Sequence, residues 1–91
     1  MIDVKEATQI AVDYLSKIPG YSSYVNSFVI EELEFSEDEK YWLVTLSYKI
    51  PISEGPFDLT GIGVKYSVKY KVIKIDADSG KVYSMKIRNV S

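Results

Sequence analysis

The chain contains neither cysteine nor histidine. Without cysteine it can form no disulfide framework and no thiolate metal site. Without histidine it lacks the commonest general base and the commonest metal ligand. Proline and glycine are sparse, three and five in 91 residues, and all of them fall at Pro19-Gly20, between Pro51 and Gly63, or at Gly80. Those are the places where regular structure is expected to break. No apolar run exceeds a handful of residues, so no membrane insertion is expected, and Met1-Ile2-Asp3 does not begin a signal peptide. A native start at Met1 implies a cytoplasmic protein; removal of a leader would imply an extracellular or cell-surface one. The net charge of −2 is too small to steer a partner.

What the chain does have is aromatic and apolar weight. Eight tyrosines, three phenylalanines and a tryptophan contribute to an apolar fraction of 46%, enough for one core and one domain over residues 1–91. Charge is unevenly divided. Residues 1–40 carry nine acids against three lysines, a balance of −6, and residues 41–91 carry eight bases against four acids, a balance of +4. Strands from the two halves lying side by side would complement one another. The alternative is a basic stripe for an anionic partner, but lysines on strand surfaces also serve simply to prevent aggregation.

Asp3 to Ile18 has the pattern of an amphipathic helix. Asp3 and Glu6 make a capping-box-like pair, Val4, Ala7, Ile10, Ala11, Tyr14, Leu15 and Ile18 form one stripe, and Pro19-Gly20 ends it. Tyr21–Ser27 is a polar connection without a period. Four strands follow. Phe28–Ser36 puts Val29, Leu33 and Phe35 on one side, and Glu31 on that apolar side marks an edge or an irregularity. Tyr41–Ile50 alternates most cleanly, with Trp42, Val44, Leu46, Tyr48 and Ile50 inward. The third strand starts at Val64, with Tyr66, Val68 and Tyr70 expected inward, and its alternation slips at Val72-Ile73, through a bulge or because both faces are partly covered at that end. Asp76–Gly80 is a turn. The last strand is expected to face Tyr83, Met85 and Ile87 inward and Val82, Ser84, Lys86 and Arg88 outward. The fold class is therefore α+β: one N-terminal helix packed on a four-stranded antiparallel meander, α-β-β-β-β, with a dry face and a wet face.

Three short stretches resemble the PepSY domain: Glu6–Leu15, with the form E-A-x-x-I-A-x-x-Y-L; Trp42–Val44, W-x-V; and Lys71–Val82, ending I-D-A-D-S-G-K-V. Ser79 stands where that family usually has threonine. The resemblance implies a cystatin-like helix-on-sheet fold. It also implies a role in inhibition or ligand binding, with a peptidase as one class of partner.

Chemistry-bearing patterns are few. Asp76-Ala77-Asp78-Ser79-Gly80 invites a calcium reading, but its glycine is fifth where a calcium loop has it sixth, and Ile87 occupies the place of the bidentate glutamate. Turn chemistry accounts for the stretch without an ion. Glu37-Asp38-Glu39 reads as a solvated hairpin tip, since three adjacent acids there cannot all converge on one cation. Lys65, Lys69 and Lys71 alternate with Tyr66 and Tyr70, so tyrosines and lysines point to opposite faces and make no base-stacking platform; no nucleic acid partner is expected. The Q-x-V-x-G and P-W loops of cystatin inhibitors are missing.

The expected function is thus a small non-catalytic binding module, with no cofactor and no metal. It would engage a protein or peptide, a second copy of the chain included. The expected contact residues are an apolar cluster on the helix-free face, Leu43, Ile73, Ile75 and Val82 with Ile30 and Tyr41 alongside, and the loop residues Phe57, Leu59 and Ile62 with Ile52; the equal alternatives are a bulge that turns the isoleucines inward and a loop that tucks against the core as a lid. The rival expectation is a small-molecule pocket between helix and sheet near Trp42, Tyr48 and Tyr66.

Overall fold

Asp3 turns the chain into its helix as expected: the Glu6 N–H donates to Asp3 Oδ1 at 2.8 Å, satisfying one of the orphan donors of the first turn. In the computed structural model, which describes residues 1–52 and 65–88, the helix α1 is Val4–Ser16. It stops two residues short of Ile18, and Gly20 takes the left-handed φ of +94° that reverses the chain. The next stretch is not irregular but a 3₁₀ helix, Ser22–Ser27.

Four strands then form one antiparallel sheet in sequential order: β1 (Val29–Phe35), β2 (Tyr41–Ile52), β3 (Lys65–Asp76) and β4 (Val82–Ile87). The helix packs on one face, so the α+β helix-on-meander architecture read from the sequence is the one adopted. Ala7, Ala11 and Leu15, spaced four residues apart along one stripe, are fully buried against Val44, Leu46, Ile73 and Ile75. The two alanines let the helix backbone approach the sheet closely. Burying each of the larger aliphatic side chains stabilises the fold by about 1.5–3 kcal/mol.

The N-terminus is tied into the same core. The Ile2 N–H donates to the Ala77 carbonyl at 2.7 Å, and Trp42 Nε1 donates to the Ile2 carbonyl at 3.2 Å. Beyond the helix C-terminus, aromatic rings take over the covering role. Tyr21, Tyr24 and Phe28 pack around Tyr48 with ring centroids 5.5, 5.9 and 6.2 Å away.

The main correction concerns the third strand. β2 and β3 pair without interruption from Tyr41↔Asp76 to Ile52↔Lys65, so no bulge occurs at Val72-Ile73. Ile73 and Ile75 sit opposite Val44 and Trp42 on the helix side and are 0% exposed. By the same alternation Tyr66, Val68 and Tyr70 lie on the reverse face. The reason is reach. A 13-residue helix is about 20 Å long, whereas 12-residue strands extend to about 40 Å. The apolar positions of β3 accordingly change sides along its length: inward beneath the helix, outward beyond it.

Two bulges shift the edge strands. In β1 the register jumps between Ile30 and Glu32, leaving Glu31 as the extra residue; Ile30 then pairs with Leu46 on the helix side, while Val29 pairs with Ser47 on the reverse. In β4 the register jumps so that Ile75 faces Val82 and Lys74 faces Ser84. Val82 therefore packs on the core side, contrary to expectation, and Tyr83 turns to the reverse face against Tyr41.

Candidate functional site: the helix-free face

The two end turns hold the sheet's shape and use up most of the acidic motifs. Asp76 accepts from the Asp78 and Ser79 N–H groups at 2.9 and 2.8 Å, bonds that hold its carboxyl below the usual range. Asp38 accepts from Ser36 Oγ at 2.5 Å and from the Lys40 N–H at 3.1 Å, and is lowered for the same kind of reason. Each of these carboxylates is engaged by its own turn. Among the described residues no three potential ligands converge as a metal site would require. None of the described helices is long and apolar enough to cross a membrane.

The reverse face of the sheet is built in level rows by the strand register. One row runs Glu34, Leu43, Lys74, Ser84 from β1 to β4; the next runs Glu32, Thr45, Val72, Lys86. A third carries Val29, Ser47 and Tyr70, and the Arg88 N–H donates to the Tyr70 carbonyl at 3.1 Å. Beyond them Lys49 pairs with Val68 and Pro51 with Tyr66. The face is consequently bipolar. Acids lie along β1, and Lys74, Lys86 and Arg88 lie along β3 and the end of β4.

Its centre is covered by the chain's own polar groups. Arg88 Nη1 reaches Glu32 Oε2 at 2.6 Å and Thr45 Oγ1 at 3.1 Å, while Ser47 Oγ donates to Glu31 Oε1 at 2.8 Å. The Arg88 guanidinium holds the Glu32 carboxyl below its ordinary range, and Glu32 in turn raises Arg88. Beneath this lattice Thr45 and Ser47 are each only 4% exposed. On either side of the lattice, large apolar side chains stand among lysines. Towards the two turns, Lys74 Nζ stands 4.2 Å from the Tyr41 ring and 5.2 Å from the Tyr83 ring. Towards the other end, Tyr66 is 53% and Val68 43% exposed.

Of the residues expected to form the contact surface, Leu43 and Tyr41 lie on this face. Ile73, Ile75, Val82 and Ile30 do not, for the register reasons given above. Phe57, Leu59 and Ile62 lie outside the described residues. In place of the buried isoleucines the face presents Tyr66, Val68, Tyr70 and Tyr83. Unbroken two-residue counting back from Ile75 places the first three of these opposite to it, and that was the available signal. The bulge that turns Tyr83 outward has no local signature.

Trp42 and Tyr48 point to the helix side and Tyr66 to the reverse, so these three do not line a common cavity. A groove of about 450 Å³, reaching both faces beside the first half of β3, is lined by Tyr48, Ile50, Lys69, Lys71 and Ile87 and by Val68, Tyr70 and Arg88. Lys71 there is held over the Tyr21 ring at 5.4 Å. No family model matches the chain, and neither does any curated protein or solved structure.

Proposed function

We propose that this protein is a small non-catalytic binding module of PepSY-like, cystatin-like form, which engages a protein or peptide through the helix-free face of its sheet. A peptidase and a second copy of the chain are the candidate partners. The observation that carries this reading is the line Tyr66, Val68 and Tyr70, placed outward on the face opposite the helix and its aromatic cluster. Large apolar side chains lined up on one face, flanked by charge, have the composition of an interaction surface rather than of a solvated one. Tyrosine suits this role because its ring offers contact area at small entropic cost and its hydroxyl remains satisfied in water.

The test is site-specific photocrosslinking in the native host. A photoreactive phenylalanine replacing Tyr66 should give a discrete protein adduct, and the same group replacing Lys5, on the outer side of the helix, should give none. Equal labelling from both positions, or no adduct from Tyr66, removes the reading. The adduct's mass identifies the class of partner.

A further inference from the structure

We propose that the helix-free face is occupied by a second copy of the chain, packed sheet on sheet about a two-fold axis that runs along the strands. This rests on the reading of that face as a docking surface and specifies its occupant. Two sheets packed face to face keep their strands within about 30° of one another. A two-fold axis lying in such an interface can run along the strands or across them, and the two choices bring different strands into register.

An axis along the strands keeps each row at its level and reverses the strand order. β1 then lies over the second copy's β4, and β2 over its β3. The row Glu32, Thr45, Val72, Lys86 becomes complementary to itself: Glu32 meets Lys86 of the second copy, and Lys86 meets its Glu32. Glu34 comes between Lys74 and Lys86 of the second copy.

An axis across the strands would instead lay β1 on β1, with glutamates facing glutamates, and β3 on β3, with tyrosine and valine against their own kind. Like charges brought together cost several kcal/mol. Association through β1 or β4 is also disfavoured, because β1 carries a bulge and three glutamates and β4 is a six-residue strand with a bulge of its own. The two-fold arrangement closes at two copies, with the same surface used by both.

Sedimentation equilibrium of the purified full chain tests this. The expected result is a species of twice the chain mass. The exposed-residue variants Glu34→Lys and Lys86→Glu should each weaken the dimer at least tenfold. Mixed in equal amounts they should associate more tightly than either does alone, because the reversed charges at positions 34 and 86 then meet as opposites, while position 86 of the Lys86→Glu copy still faces Glu32. A wild-type chain that stays monomeric at millimolar concentration overturns the inference, as does a mixture no tighter than its components. A series of masses beyond the dimer overturns it too, since that is the behaviour of head-to-tail edge pairing. If the chain is monomeric while Tyr66 crosslinks to a different protein, the docking face stands and only the second copy falls.

Discussion

Arg88, just past the end of the last strand, and Glu32, on the first, meet across the helix-free face with Nη1 and Oε2 2.6 Å apart. The contact joins two edges of a sheet that are 56 residues apart in sequence. It also roofs Thr45, which would otherwise present a bare hydroxyl at the centre of the sheet.

Because Arg88 depresses the Glu32 pKa, the contact's contribution to stability is present above the unfolded carboxyl value and is lost as pH falls through the folded one. Melting temperatures of wild type and Glu32→Gln, measured from neutral pH down to about pH 3, a range spanning ordinary carboxyl values, should therefore converge at the acid end. Both side chains are substantially exposed, so the difference at neutral pH should be small.

Ile73 and Val72 are neighbours in sequence on opposite faces of one strand. Ile73→Ala opens a cavity beneath the helix and should cost about 2–5 kcal/mol in urea denaturation. Val72→Ala, on the reverse face, should cost distinctly less in the isolated chain. Equal losses would mean that the register of β3 is wrong.

Gly80 has a φ of +74°, and a Cβ there would stand 3.1 Å from Ile10 Cδ1. Gly80→Ala should therefore lose about 1–2 kcal/mol from backbone strain, with a further increment as the Ile10 side chain gives way. Gly20 has a φ of +94° and open space around it, so Gly20→Ala should show the strain alone. Thermal denaturation of the two variants separates these contributions.

Burial pushes the Tyr48 hydroxyl upward, helped by its neighbours Tyr21 and Tyr24. Ultraviolet titration should show a late tyrosine ionisation that Tyr48→Phe abolishes. The raised value favours the neutral folded form. Its contribution is thus complete below the unfolded tyrosine value of about 10, and is lost as pH rises towards the folded one.

Much of the fold was legible because it is locally encoded. The Asp3 cap, the stripe Ala7–Ala11–Leu15 and the break at Pro19-Gly20 each depend on residues within a turn or two of one another. The same is true of the Asp76–Gly80 turn, whose carboxylate bonds its own backbone. Even the irregularity at Glu31 was marked by an acid standing at an apolar position. The candidate site was read less well. Apolar residues occur on both sides of the third strand, and local periodicity says only which of them share a face.

By itself, then, the amino-acid order determined one helix, four antiparallel strands, the turns at Ser36–Lys40 and Asp76–Gly80 and the alternation within β2, since all of these arise from short-range sterics and hydrogen bonding. Only the tertiary structure decided which side of β3 is sealed and which is open. Docking of the helix over one end of the sheet leaves Ile73 and Ile75 inward and Tyr66 and Val68 outward, and the bulge at Tyr83 turns that ring outward. Side chains on a strand repeat every two residues, so a single bulge or the docking of one helix reassigns a whole face, and no local stretch marks the Tyr83 bulge or the side on which the helix docks.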